Sequence, residues 1–191
     1  MSKNDNKRTF IGFSLSANHQ QRLIDIQQQL APQLNATATV VHSTNLHITA
    51  AFLGQTSEAD IQKIDAAISL MTLKCFTQEL EHIAFWPKAE VLCIEGITKI
   101  ELNKIVEQLA QLANQLNLHQ SQHDYRPHVS LFRHVKKPSL NQTIIDEAAI
   151  KTTEMIKRVP IKVDITELTL FESKSTSMGV EYLALKSWPL S

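Results

Sequence analysis

Eight segments of the chain have the alternating or β-branched apolar pattern that is typical of β-strands. The predicted strands are Thr9–Leu15, Thr37–Val41, Leu46–Phe52, Phe76–Phe85, Val91–Gly96, His128–Arg133, Ile161–Phe171 and Val180–Trp188. A polar segment, ESKSTSMG, separates the last two strands, and this arrangement predicts a hairpin.

Apolar side chains recur at helical spacing between the strands. Three helices are predicted over Asn18–Leu30, Ser57–Leu70 and Ile100–Leu116, with Ser57 as the N-cap of the second. A fourth segment, Leu140–Val159, has a mixed pattern and is a weaker helix prediction. Strands and helices alternate, but the closing hairpin favours an α+β fold with antiparallel sheets over a doubly wound parallel sheet.

The two halves of the chain resemble each other in the order of their elements. Each half has a strand, a helix and then a strand that begins near a histidine, His47 in the first and His128 in the second. Two copies of such a unit around a pseudo-twofold axis would bring the equivalent histidines face to face. We therefore expect residues 1–191 to form a single domain of two intertwined, pseudo-symmetric lobes with a central cleft.

Each of these histidines has a hydroxyl residue two positions later in the same strand. Alternation places His47 with Thr49 on one face, and His128 with Ser130 on one face. The opposite faces carry the apolar neighbours, which are Leu46, Ile48 and Phe52 in the first strand and Val129 and Leu131 in the second. Either histidine alone fits a core imidazole bonded to a hydroxyl, but the matched pair indicates one shared site.

Two imidazoles facing one cleft suit the in-line displacement of a phosphodiester. One neutral ring can take a proton from the attacking oxygen while the other, charged, gives a proton to the leaving oxygen. The Thr49 and Ser130 hydroxyls can donate to the nonbridging phosphate oxygens. This chemistry needs no metal and no cofactor, and the chain has no HExxH motif and no glycine-rich phosphate loop.

The overall charge limits the kinds of partner. With 19 basic and 19 acidic residues, the chain has no net field that would hold a polyanion, so any nucleic-acid contact must be local. A basic cluster beside the second histidine could make that contact, and it consists of Arg126, Arg133, His134, Lys136 and Lys137. The aromatic side chains Phe52, Trp86 and Phe132 could stack on a base, although the core is the expected place for them.

The remaining composition indicates a cytoplasmic protein that does not contact a membrane, and we expect a monomer, although the sequence carries no signal of its oligomeric state. The N-terminus has no apolar region of a signal sequence, and no run of 18 apolar residues occurs. Cys75 and Cys93 lie in apolar segments without metal-ligand spacing, so we expect both to be reduced, buried thiols.

The segments NLHITAAFLG and RPHVSLFR, with the opening RTFIGFSL and the closing hairpin, resemble the two-histidine (HxTx) phosphoesterase superfamily. Within it, the chain is similar to the bacterial RNA 2′,3′-cyclic phosphodiesterases, also called 2′-5′ RNA ligases, and the motifs fall at residues 47–50 and 128–131. The resemblance implies opening of a terminal 2′,3′-cyclic phosphate on RNA to a 2′-phosphomonoester, with weak reverse 2′-5′ joining of tRNA halves.

The resemblance also implies roles for individual residues. His47 matches the proton donor and His128 the proton acceptor, with Thr49 and Ser130 at the hydroxyl positions. Ser130 departs from the commoner threonine but keeps the hydroxyl. Arg133 matches a phosphate-binding arginine, yet strict alternation would place it on the face opposite His128, so a twist or a strand end must redirect it. Arg126 is the second predicted substrate-binding residue.

Three alternatives to this interpretation remain open. The chain could be a non-catalytic module that binds RNA ends, or a phosphodiesterase that acts on a small cyclic nucleotide. The third is metal-dependent hydrolysis with a set of histidine ligands, His42, His47, His119, His123 and His128, whose spacings suit a metal site poorly.

Overall fold

The computed structural model describes residues 6–136, 160–177 and 179–191. In these ranges the strands are β1 Lys7–Ser14, β2 Thr39–Val40, β3 His47–Thr56, β4 Phe76–Leu80, β5 His82–Trp86, β6 Val91–Glu95, β7 His128–Arg133, β8 Ile161–Ile165, β9 Glu167–Thr176 and β10 Gly179–Pro189. The α-helices are α1 Ala17–Leu30, α2 Glu58–Ile68 and α3 Ile100–Gln115. The predicted helix Leu140–Val159 and Lys137 lie outside the described residues.

The strands form two four-stranded sheets and a two-stranded ribbon. The first sheet has the order β10-β9-β1-β3, the second β2-β7-β6-β5, and the ribbon joins β4 to β8. All of these pairings are antiparallel, and β9 and β10 form the predicted hairpin. The α+β prediction with antiparallel sheets is confirmed.

Two of the predicted strands are each divided in the structure. The predicted strand Phe76–Phe85 is interrupted at Glu81, where the chain leaves the ribbon with β8 and enters the second sheet beside β6. The predicted strand Ile161–Phe171 is interrupted at Thr166, where the chain passes from the ribbon to the first sheet. In both cases the apolar pattern continues although the strand changes its partner. The pattern cannot reveal this change, because the segments before and after it are both half-buried strands.

The helices begin and end close to the predicted positions. The Ser57 hydroxyl accepts from the Asp60 backbone N–H at 3.2 Å, and the Asp60 carboxylate accepts from the Ser57 N–H at 3.1 Å, so α2 begins with a capping box. The apolar face of α2 is buried through Ile61, Ile64 and Ile68.

Two helices each pack on a strand from the other half of the chain. α1, from the first half, lies against β7, and α3, from the second half, lies against β3. The buried Gln27 side chain of α1 donates to the Leu131 carbonyl of β7 at 2.9 Å. Each strand that carries a motif histidine is therefore packed against a helix from the other half.

Both of these strands contain a β-bulge directly after the hydroxyl residue. In β7, Ser130 pairs with Cys93 and Phe132 with Leu92, so Leu131 is the extra residue. In β3, Thr49 pairs with Gly12 and Ala51 with Ile11, so Ala50 is the extra residue. One extra residue returns the fifth position after each histidine to the histidine's own face.

The bulge corrects the predicted position of Phe52. We expected it on the core face with Ile48, but only Ile48 is fully buried, while Phe52 is partly exposed. Its ring lies under the Arg8 guanidinium, 5.0 Å from the ring centroid, and contacts the His119 ring edge-on. The expected core position of Phe132 is correct, since it is 3% exposed.

Both cysteines are free thiols, as expected, but only one is buried. Cys93 lies in the core of the second sheet, whereas Cys75 is exposed. Cys75 directly precedes β4 and donates from Sγ to the Leu190 carbonyl. Its apolar neighbours suggested burial, but it lies outside the strand, where alternation no longer sets the direction of a side chain.

Candidate active site

The orientation of the His47 ring is fixed at both nitrogens. Nδ1 lies 2.7 Å from the Asn45 carbonyl and Nε2 lies 2.9 Å from the Thr49 hydroxyl. A carbonyl can only accept, so Nδ1 carries the proton of the neutral ring and Nε2 accepts from Thr49. The predicted sharing of a face by His47 and Thr49 is thus observed as a hydrogen bond.

Aromatic rings enclose His47. The centroids of the Phe10 and Tyr182 rings lie 4.7 and 4.9 Å from the centroid of its ring. Removal from water disfavours the charged imidazolium, and this burial lowers the pKa of His47 to about 4. The hydrogen bond to Asn45 acts in the opposite direction, and the positive charges of His128 and Arg133 lower the pKa further.

In the second half, His128 has the same contact at Nδ1. Its Nδ1 donates to the Arg126 carbonyl at 2.9 Å, two residues before it, as His47 does to Asn45. The Trp86 ring packs on it with centroids 4.3 Å apart. Burial is the largest influence on the pKa of His128 and lowers it, whereas Glu95 raises it.

The structure brings the two histidines to one place. β3 and β7 lie against each other, and the Tyr125 hydroxyl, just before β7, donates to the Thr49 carbonyl at 3.0 Å. The charge of His128 is close enough to lower the pKa of His47. Both rings are partly buried and neither is sealed from solvent.

The charge of Arg133 lies near both histidines. Strict alternation would place the Arg133 side chain on the face opposite His128, away from a bound phosphate. The bulge at Leu131 instead turns it to the face of His128. Arg133 is exposed, and its charge lowers the pKa of both histidines. A cation between two bases is suited to meet an anion there.

Arg126 contributes through its backbone. Its carbonyl orients the His128 ring, and its side chain is exposed with its charge near Cys93. The other described members of the basic cluster, His134 and Lys136, are also exposed. A substrate contact by the Arg126 side chain stays a prediction, as do the roles of the other site residues.

His128 is surrounded by residues that were not predicted from the sequence to belong to the site. The Glu95 carboxylate accepts from Trp86 Nε1 and lies 3.0 Å from both Nε1 and His82 Nε2. Glu95 is 9% exposed and lies opposite His128 in the ladder between β6 and β7. The sequence did offer one signal for Glu95, since it ends the apolar run VLCIE. A carboxylate buried at the end of such a strand requires hydrogen-bond partners, and these could have been sought near the second motif.

The site offers acid–base groups without a recognisable metal centre. Within residues 6–136, 160–177 and 179–191, no group of three or more histidine, cysteine or acidic side chains is placed to hold a metal ion. Nor do these ranges contain a helix long and apolar enough to span a membrane. Two neutral imidazoles, two hydroxyls and one guanidinium can bind an oxyanion and move protons on either side of it.

Sequence comparison identifies a family over part of the chain. Residues 13–93, which include the first histidine motif, match the model of the LigT like phosphoesterase family. No curated protein matches the chain significantly.

Solved structures share the fold over nearly the whole chain. Escherichia coli LigT complexed with 3′-AMP aligns with a TM-score of 0.81 at 22% identity, covering 98% of this chain and 99% of LigT. TT0787 of Thermus thermophilus aligns with a TM-score of 0.73 at 17% identity over 96% and 97% of the two chains. The MHV ns2 PDE domain is more distant, with a TM-score of 0.52 at 11% identity over 94% and 99%.

Proposed function

Because residues 13–93 match the LigT like phosphoesterase family and the chain shares the LigT fold, we propose that it is an RNA 2′,3′-cyclic phosphodiesterase that uses two histidines and no metal. The observation that carries the proposal is the matched presentation of His47 and His128. In each ring Nδ1 is occupied by the carbonyl two residues earlier, which leaves Nε2 for a proton transfer. LigT has been crystallised with 3′-AMP and with phosphate, which supports a nucleotide phosphoester as the ligand of the shared fold.

In the proposed reaction a water oxygen attacks the phosphorus of the cyclic phosphate. His128 takes the proton of this water at Nε2, and the bond between phosphorus and the 3′-oxygen breaks. His47, in its charged form, gives a proton from Nε2 to the 3′-oxygen, so that the product is a 2′-phosphomonoester with a free 3′-hydroxyl. The same sequence of proton transfers, with an RNA 5′-hydroxyl in place of water as the nucleophile, gives weak 2′-5′ ligation.

The hydroxyls and the arginines bind the phosphate in this proposal. Thr49, which bonds to His47 Nε2 in the absence of substrate, turns its proton to a nonbridging oxygen, and Ser130 does the same from the other side. Arg133 neutralises the charge that accumulates on these oxygens, and Arg126 contacts the RNA backbone. We further propose that the enzyme acts as a monomer of two lobes in the cytoplasm.

Hydrolysis of an RNA oligonucleotide with a 2′,3′-cyclic phosphate end, measured in EDTA, tests the proposal. We expect turnover by the unaltered protein and a decrease in kcat of ~10²–10⁴ for His47→Ala and for His128→Ala, the usual contribution of a general acid or base. His19→Ala, which removes a histidine on α1, is the control with unchanged activity.

Each other outcome has its own meaning. Undiminished turnover in both variants would overturn the two-histidine mechanism, and complete inhibition by EDTA would favour a metal. Binding without turnover in the unaltered protein would make the chain an RNA-end-binding module. A panel that includes mononucleotide 2′,3′-cyclic phosphates identifies the substrate, and separation of 2′- from 3′-phosphate identifies the bond that breaks.

A further inference from the structure

The environment of His128 contains a buried carboxylate, and within residues 6–136, 160–177 and 179–191 none of the influences on the pKa of His47 is a carboxylate. Glu95 and His128 are direct partners in the ladder between β6 and β7. The partner of His47 in the ladder between β1 and β3 is Ser14, an exposed and uncharged residue. Both rings bond through Nδ1 to the carbonyl two residues earlier, so the carboxylate beside His128 is a difference in surroundings that this shared contact does not explain.

Glu95 is fixed by two hydrogen bonds. Its two oxygens lie 3.0 Å from Trp86 Nε1 and from His82 Nε2, and its side chain is nearly buried. The indole that donates to Glu95 also packs on the His128 ring. The carboxylate thus acts on His128 in two ways, through its charge and through the position of the Trp86 ring.

We propose that Glu95 is a positioning residue that stabilises the protonated form of His128 and thereby gives the two histidines of the cleft unequal proton affinities. This inference rests on the proposed function for its catalytic meaning. When His128 takes the proton of the attacking water it becomes an imidazolium, and the negative charge beside it stabilises that product without itself taking the proton. The ladder partner of His47, Ser14, carries no charge, so His47 gives up a proton more readily, which suits a donor.

The other charges around His128 do not reproduce this asymmetry. Arg133 lowers the pKa of both histidines, and the Arg126 guanidinium lies near Cys93 on β6. His47 faces His128 from β3, so a proton on His128 disfavours one on His47. His82 on β5 is a further titratable group in this part of the structure, and its Nε2 lies 3.0 Å from the Glu95 carboxylate.

The test is a titration of the two histidine rings by NMR in the protein without substrate. For Glu95→Gln we expect a lower pKa of His128 and an unchanged pKa of His47. For Ser14→Glu, which places a carboxylate at the equivalent position of the first half, we expect a higher pKa of His47. Glu81→Gln, which removes a neighbouring carboxylate that accepts from the Ile97 N–H, is the matched control without effect on either ring.

Kinetics give the catalytic consequence. Glu95→Gln should reduce kcat roughly 10- to 100-fold, as expected for loss of an outer partner of a catalytic group, with little change in KM. The alkaline limb of the pH profile of kcat/KM should move to lower pH, since it follows the higher of the two pKa values. Glu95→Asp, which keeps a carboxylate, should recover part of the lost kcat and part of the shift in the alkaline limb. His82→Gln should keep the pKa of His128 close to that of the unaltered protein.

An unchanged pKa of His128 in folded Glu95→Gln would overturn the inference. If that variant does not fold, an unchanged pKa of His47 in Ser14→Glu would overturn it as well. The titration needs no turnover, so it distinguishes this inference from the proposed function. A protein whose His128 responds to Glu95 but which opens no cyclic phosphate would refute only the proposed function.

Discussion

At the scale of the residue, the site consists of side chains whose charge states depend on one another. His47 is kept neutral by burial, and the positive charges of His128 and Arg133 add to that effect. A phosphate bound between them would bring negative charge to the same place and favour protonation of a ring. In the proposed reaction, the proton of the acid would therefore arrive with the substrate.

Arg133 provides a test of this coupling. Because its positive charge lowers the pKa of His47 and of His128, Arg133→Gln should raise the pKa of both rings. It should also weaken phosphate binding, seen as a KM increased by about tenfold, the equivalent of one charge-assisted hydrogen bond. NMR titration gives the pKa values and steady-state kinetics gives KM.

Lys136→Gln, also in the exposed basic cluster, is the control for a general loss of positive charge. Equal effects of the two substitutions on the histidines would mean that Arg133 has no special position in the cleft.

At the scale of the element, two β-bulges decide which side chains line the cleft. Each follows the hydroxyl of its motif by one residue, with Ala50 extra in β3 and Leu131 extra in β7. The Leu131 carbonyl accepts from Gln27 and from the Val41 N–H, so the bulge is held by α1 and by the segment after β2. These bonds to Leu131 come from outside the strand, which explains why alternation within β7 left Arg133 in conflict. The separate bulge at Ala50 in β3 is the reason that alternation predicted the wrong face for Phe52.

The beginning of α2 was predictable from local sequence, and its stability can be tested. Ser57→Ala removes the hydroxyl that accepts from the Asp60 N–H and should cost about 1 kcal/mol of unfolding free energy. Ser69→Ala, at the other end of the same helix, removes a hydroxyl that does not cap an N-terminus and is the matched control. Urea denaturation of both variants measures the difference, and equal losses would contradict a specific role for the capping box.

At the scale of the whole molecule, the two halves hold each other's histidine strands. α1 packs on β7, α3 packs on β3, and the loop before β7 reaches β3 through the Tyr125 hydroxyl. Separation of the halves would therefore expose both rings to water. Burial of the site and stability of the fold are linked through this packing.

This link predicts how stability depends on pH. The pKa of His47 in the folded protein is about 4, below its ordinary value of 6.5, so the unfolded chain binds more protons between these values. The contribution is fully present above pH 6.5 and is lost as the pH falls towards 4. By this linkage, lowering the pH from 7 to 5 should cost about 2 kcal/mol through His47 alone.

Urea denaturation of the unaltered protein and of His47→Gln at pH 7 and pH 5 measures this contribution. The glutamine variant, which cannot take up the proton, should lose less stability on acidification by that amount. An equal loss in both proteins would mean that His47 titrates normally in the folded state.

The sequence by itself determined the elements and the identity of the chemical groups. Period-two and helical patterns predicted the helices and most strands, and the repeated histidine motifs pointed to a shared site, because these signals are local to a few residues. Only the tertiary structure decided the divisions at Glu81 and Thr166, the bulges that turn Phe52 and Arg133, and the place of Glu95 beside His128. These features depend on which strand lies alongside, and a partner from a distant part of the chain leaves no mark on the local pattern.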